Sequence, residues 1–187
     1  SFEKKERFER YNENISSLLK QSNIDWIPLS YTKKPPVLST LYDVIRLQKK
    51  VFELHRKKKF RIVHCRSYIS SLVGLSMKKK FSIKFIFDMR GFYADERVDG
   101  GLWNFKNPIY RLVYNYFKRE EKHFLSNADY TISLTENGKQ VIHSWKEISN
   151  QPIPIQVIPC CADLEKFSPQ NINQNKLAEL RKEFSIS

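Results

Sequence analysis

Cysteine, glycine and, over one long stretch, acidic charge are scarce in this chain. Three cysteines among 187 residues, two of them adjacent as Cys160 and Cys161, cannot build a disulfide framework, so a reducing compartment is expected. Only five glycines occur. None falls in G-x-x-x-x-G-K-[ST] or G-x-G-x-x-G, which excludes a P-loop and the dinucleotide fingerprint. Gly-x-Ser-x-Gly is also missing, so Ser67 sits in no nucleophile-elbow signature. His64, Cys65, His123 and His143 have no metal-ligand spacing, and Cys160-Cys161 are too close to close a tetrahedral site from one loop. Neither metal nor cofactor is expected. Ser67 to Met77, the uncharged run in the middle, has 11 residues, short of the ~20 that a membrane span needs. With no apolar leader at its start, the chain reads as cytoplasmic.

Hydrophobic residues make up 41% and aromatics 13%, enough to build a core in a chain of one-domain length. The charge is unevenly spread. Lys+Arg number 33 against 20 Asp+Glu, a formal +13. Between Arg46 and Lys84 there are 13 basic residues and a single acid, Glu53, so almost the whole excess lies there. Such a bias suits an anionic partner, be it nucleic acid, a phosphorylated substrate or a membrane surface. It is equally the mark of solvated helix ends in a Lys-rich chain.

Strand and helix patterns alternate along the chain. A helix is expected over 12–21, a strand from Asn23 to Ser30, and a loop at Thr32 to Pro36, where two prolines bar a sheet interior. From an N-cap at Ser39 or Thr40, Leu41, Val44, Ile45, Gln48, Val51, Phe52 and His55 recur at helical spacing. Arg61 to Cys65 reads as a short buried strand, Tyr68 to Lys79 as a helix and Lys84 to Met89 as a strand. Arg90 to Lys106 reads as a long loop. Asn107-Pro108 opens a helix whose apolar face is Ile109, Leu112, Val113, Tyr116, Phe117 and Phe124. A strand at Asp129 to Leu134, a helix over 136–147, a strand at Ile155 to Ile158 and a helix over 176–184 complete the pattern. Short apolar strands separated by single helices predict an α/β fold: an open, mostly parallel Rossmann-like sheet with helices on both faces.

Ligands bind beyond the carboxyl ends of the strands in such a sheet. Arg66, Ser67, Asp88, Arg90, Gly91, Glu96, Arg97, Thr135 and Glu136 fall there, and Lys33 and Lys34 lie on the same side. Asp88 reads either as a cleft carboxylate or as a strand-end cap paired with Arg90. Glu96 and Arg97 are cleft groups or an ion pair that orders their loop. Arg66 could grip a phosphate bidentately or satisfy a loop carbonyl. For His64 a buried neutral imidazole is the simpler expectation, and for Cys160 and Cys161 small residues filling space under the sheet.

The stretch Val157-Ile158-Pro159-Cys160-Cys161-Ala162-Asp163-Leu164-Glu165-Lys166-Phe167-Ser168-Pro169 resembles the end of the N-terminal domain of family 4 glycosyltransferases, V-I-P-N-G-V-D-x-x-x-F-x-P, with Cys-Cys-Ala in place of Asn-Gly-Val. Three further segments resemble that family in the same order: Arg61 to Tyr68 (D-h-h-H-x-x-S), Phe85 to Gly101 (F-D-M-R-G…D-E) and Ala128 to Glu136 (A-D-x-h-h-x-x-S/T). The resemblance implies one half of a two-Rossmann (GT-B) enzyme. Residues 1–169 would be the N-terminal, acceptor-side domain, and 170–187 a link toward a C-terminal donor-binding domain after Ser187. A first strand and Gly-rich loop would precede Ser1, with Ser1 to Lys4 ending the second strand.

It further implies a nucleotide-sugar donor, held mostly by the second domain, and a glycan or lipid-linked acceptor. Transfer with retention is implied, with no metal, and no activity for this piece alone. Asp88 and Arg90 would line the cleft. Many members carry His-Asp where this chain has Phe87-Asp88, so that histidine's donor contact is lost here. Peripheral docking on the inner face of the cell membrane also follows. Arg56–Lys59 and Lys78–Lys80 end helices that precede strands, and so lie opposite the cleft; Lys78–Lys80 is a candidate for membrane contact. A non-catalytic Rossmann-like binding module is the alternative. A nucleic-acid-binding module rests on charge alone and lacks a recognisable reading motif.

Overall fold

The computed structural model describes residues 2–149, 152–165 and 167–185. Ser1 and Lys166, which belong to two of the motifs above, lie outside the described residues. Residues up to 157 form one compact unit and those from 158 a second.

The first unit opens with β1 (Phe2–Glu3), α1 (Lys5–Gln21) and β2 (Leu29–Ser30), the two strands pairing in parallel as a small sheet. A longer strand over 23–30 is expected from the sequence, but among the described residues only Leu29 and Ser30 pair, with Phe2 and Glu3. Ile24 is exposed as a result. α2 (Leu38–Lys58) follows the Pro35-Pro36 turn. It starts two or three residues earlier than a Ser39 or Thr40 cap would place it: Ser39 is buried inside the helix, and its N–H donates to the Pro35 carbonyl at 3.0 Å. The helix stops at Lys59, which turns left-handed, with four basic or imidazole side chains in the last turn that complement the helix dipole.

β3 (Ile62–Arg66), α3 (Ser67–Phe81), β4 (Lys84–Asp88), α4 (Tyr93–Asp99), α5 (Pro108–Asn127), β5 (Tyr130–Ser133), α6 (Glu136–Ser144), α7 (Lys146–Ser149) and β6 (Ile155–Val157) complete the unit. β3 to β6 lie side by side in sequence order, all parallel, in a four-stranded sheet flanked by helices. This is a Rossmann-like α/β arrangement. Two helix starts are where local chemistry puts them. Asn107 Oδ1 accepts from Ile109 N at 2.9 Å ahead of Pro108, and Thr135 Oγ1 accepts from Gly138 N at 3.0 Å. The stretch 90–106 is not a plain loop, since α4 occupies its middle. The second unit holds a 3₁₀ turn (Pro169–Asn171) and α8 (Gln174–Glu183).

Registers across the sheet put Val63 and Cys65 beside Phe85 and Phe87, and Phe87 beside Thr131. Cys65, Phe85, Phe87 and Thr131 are buried there, with Tyr68, Leu75, Phe117, Phe124, Leu125, Ile142 and Ile148 from the helices in the same core. Burial pushes the Cys65 thiol up to about 12, so it packs as a small hydrophobe. Side chains of opposite parity meet more water: Ile62 is 57% exposed. A second cluster, Val73, Met77 and Ile83, is covered by Val44, Leu47, Val51 and Phe52 of α2.

Much of the basic stretch is already paired. Lys50 and Lys57 meet Glu53, and Lys58 meets Asp25. Asp129, just before β5, accepts from Lys78 at 2.7 Å, Lys84 at 3.0 Å and the Phe85 N–H at 2.9 Å. Partial burial alone would raise this carboxyl, but those three donors outweigh it and hold it well below the usual carboxylate range. Asp129 therefore stabilises the fold at pH values above the ordinary aspartate range, a contribution lost as pH falls toward its depressed folded value. Asp129→Asn should cost about 1–2 kcal/mol in urea unfolding at neutral pH and should remove part of the acid sensitivity. A variant as acid-sensitive as the parent would contradict this.

Candidate functional site

The carboxyl ends of β3 and β4 bring a polar cluster together. Arg66 and Asp88 are register partners on adjacent strands, so both side chains leave the sheet on one side, with His64 two residues back. His64 Nε2 lies 3.5 Å from Asp88 Oδ2. The imidazole is 53% exposed, so the buried neutral histidine expected from the sequence is not what forms. The edge position of β3 leaves that side chain open. Asp88 Oδ1 is buried and has no hydrogen-bond partner among the described residues. An unpaired buried carboxylate oxygen costs ~1–3 kcal/mol, and functional sites retain such groups.

The chain turns sharply on both sides of this cluster. Ser67 has φ 67° and Arg90 φ 63°, left-handed conformations that non-glycine residues adopt at a cost of order 1–3 kcal/mol. Ser67 starts α3, and its carbonyl accepts from Ser70 Oγ and Ser71 Oγ. Gly91 admits the Glu96 carboxylate directly over its backbone: a Cβ there would lie 2.0 Å from Glu96 Oε1. Glu96 thus folds back beside Gly91, while Arg97 stacks over the Tyr93 ring at 4.9 Å. Of the sequence candidates, Arg66, Ser67, Asp88, Arg90 and Gly91 lie at the ends of β3 and β4, with Glu96 against Gly91. Thr135 serves as the cap of α6, and Glu136 is exposed in its first turn. Lys33 and Lys34 are exposed on the loop after β2.

A buried network holds this end of the sheet together. The Tyr68 hydroxyl donates to Glu121 Oε2 and lies 3.3 Å from the Gly91 carbonyl. Lys118 Nζ reaches Glu121 Oε1 at 2.6 Å and Asp95 Oδ2 at 2.9 Å, and the Tyr114 hydroxyl donates to Asp95 Oδ1 at 2.7 Å. Glu121 is fully buried. Burial pushes the Tyr68 hydroxyl and the Glu121 carboxyl up. Burial alone would lower Lys118, but Glu121 and Asp95 outweigh it and raise it. The network pins α4 and the 90–91 turn to α3 and α5. The residues of this network are not singled out by sequence spacing; the one local hint is charge at Lys118 and Glu121, three apart on a helix that otherwise buries aromatics.

Cys160 and Cys161 are exposed, a correction to the expectation that they fill space under the sheet. They follow β6 in the second unit, in backbone without regular structure. Among the described residues no group of three or more His, Cys, Asp or Glu is placed to hold a metal ion, and no helix is long and apolar enough to cross a membrane.

No curated protein matches the chain. The family model of Glycosyltransferase Family 4, however, matches residues 5–166. That span takes in α1, the four-stranded sheet and the polar strand ends, and over it the parallel α/β fold agrees with the match, so the chain belongs to glycosyltransferase family 4.

Proposed function

We propose that the chain is the acceptor-side half of an enzyme that moves a sugar from a nucleotide-sugar donor onto a cell-surface polysaccharide or lipid-linked glycan, with retention of configuration. A first strand ahead of Ser1 and a donor-binding domain after Ser187 would complete it, and the piece alone would be inactive. The separation of β1–β2 from β3–β6 supports this, since one further parallel strand between β1 and β3 would join the two sheets.

The observation that carries the reading is Asp88, whose Oδ1 has no partner among the described residues, beside Arg66 and His64 at the strand ends. A carboxylate accepts hydrogen bonds only, so it suits sugar hydroxyls. Arginines suit the negative charge that develops on a departing diphosphate. Arg66, Ser67, Asp88, Arg90, Gly91 and Glu96 would line this side of the cleft. Arg97, Thr135 and Glu136 would border it, with Lys33 and Lys34 on the acceptor side. Peripheral attachment to the cytoplasmic face of the membrane belongs to the same reading.

The test is nucleotide release by the full-length protein with UDP-, GDP- and ADP-sugars, with and without cell lipid extract. One active donor, stimulated by lipid, is expected; release with none from folded protein would overturn the proposal. Arg90→Ala should lower release at least tenfold without altering the thermal melt, and wild-type rates would remove Arg90 from the site.

A further inference from the structure

The helical side of the first unit carries apolar side chains that its own core leaves uncovered. The sequence pattern assigns Leu41 and Ile45 of α2, and Ile109, Leu112 and Tyr116 of α5, to core-facing stripes. In the structure only part of each stripe packs inward. Leu41 is 57% and Leu112 71% exposed, and Leu38, Tyr42, Ile45, Ile109 and Tyr116 are exposed too. The two helices form ridges on either side of a groove of about 790 Å³ that runs along α3 from Ile69 past Leu72 to Lys79. A second hollow of about 550 Å³ lies across the α5 ridge and shares Leu112 and Tyr116 with the first.

Charge around these apolar ridges is mostly positive. Lys33, Lys79 and Arg97 line the groove, and Arg111 and Arg119 flank the α5 ridge. Arg46 stacks over Tyr42 at 5.4 Å on one ridge and Arg119 over Tyr116 at 5.5 Å on the other. The acid lining the groove, Glu120, lies 3.5 Å from Arg119 and 3.6 Å from His123. The basic block Lys78–Lys80, expected from the sequence as the membrane patch, is partly committed elsewhere. Lys78 binds Asp129, and Lys80 lies over the Phe52 ring at 4.8 Å. Only Lys79 reaches the groove.

We propose that the two ridges of α2 and α5, with their basic rim, are the surface by which this protein docks on an anionic phospholipid bilayer. Leucine, isoleucine and tyrosine side chains would enter the headgroup boundary while arginine and lysine meet lipid phosphates, the division of labour of interfacial helices. A protein partner would meet the same apolar ridges, but the excess of basic over acidic side chains around them, with Glu120 already beside Arg119, favours a uniformly anionic surface. The proposal rests on the peripheral location given above, yet it is scored separately, because nucleotide release onto a water-soluble acceptor reports transfer whether or not the chain binds lipid.

The test is vesicle flotation of the full-length protein with phosphatidylcholine vesicles, with and without 30% phosphatidylglycerol (on the order of natural anionic content). Binding to the anionic vesicles alone, weakened by salt, is expected. Leu41→Asp with Leu112→Asp should lower that binding at least tenfold. Both sites are exposed, so the circular dichroism melt should not move. Each basic residue near an anionic leaflet is worth roughly fivefold in partitioning, so Arg111→Ser with Arg119→Ser should cost roughly tenfold or more. Arg56→Ser, at the far end of α2, should change it less than about twofold if only the rim matters. Failure to bind anionic vesicles, full binding by the double aspartate variant, or equal damage from Arg56→Ser would each overturn the proposal.

Discussion

Replacing Glu121 with alanine is expected to destabilise the protein by about 3–5 kcal/mol, because removing one partner of a buried charged pair strands the other. Glu121 is fully buried and receives the Tyr68 hydroxyl and Lys118 Nζ. Without it, Tyr68 keeps only the Gly91 carbonyl at 3.3 Å, and Lys118 keeps Asp95. Glu121→Gln retains the volume and an acceptor for Tyr68 but loses the ion pair, so about 1–3 kcal/mol is expected. The two variants also differ in what they say about pH. Burial pushes the Glu121 carboxyl up, against the pull of Lys118 and Tyr68. The folded chain therefore holds this proton more tightly than the unfolded chain does. Its contribution is fully present below the ordinary glutamate range and is lost as pH rises from there through the folded value. Glu121→Gln cannot titrate and should flatten that part of the stability profile. Urea unfolding across pH 4 to 8 tests both points. An alanine variant within about 1 kcal/mol of the parent would show that the network does not hold the 90–91 turn.

Gly74→Val should cost about 2–3 kcal/mol through overpacking. Gly74 sits in the middle of α3, where glycine is ordinarily unfavourable by roughly 1 kcal/mol relative to alanine. Close approach of helix to sheet outweighs that: a Cβ at this position would lie 2.5 Å from Cys65 Sγ and 2.7 Å from the Phe85 ring. Both neighbours are buried and belong to adjacent strands, so neither can swing into solvent. Gly74→Ala should lose less, since the gain in helix propensity offsets part of the clash. The urea midpoints should fall in the order parent, alanine, valine. A valine variant as stable as the parent would mean that α3 can lift from the sheet at no cost.

These positions show how unevenly the molecule can be read from its chain. Helix starts at Pro108 and Glu136 follow from Asn107 and Thr135, whose side chains reach backbone N–H groups two or three residues away. Such bonds need no information from elsewhere. The five-residue strands β3 and β4 are legible for a similar reason, as short apolar runs bounded by turns, and their alternation with helices implies the parallel α/β class. Cys160 and Cys161 are exposed against expectation because composition says what a cysteine tolerates, not whether anything covers it. Of the strand expected over 23–30 only Leu29 and Ser30 pair among the described residues, because an apolar run becomes a strand only where another backbone lies alongside it.

By itself the chain determined its local chemistry: the helix starts at Pro108 and Glu136, which residues lie at strand ends, and a family frame along residues 5–166. The rest depended on which backbones become neighbours. His64 met Asp88, and Arg66 was set opposite it, only when β3 and β4 paired in one register out of several possible. Tyr68 met Glu121, 53 residues away, only when α3 and α5 packed on the same sheet face. The apolar stripes of α2 and α5 were also divided there, because a helix buries only the arc that finds a neighbour.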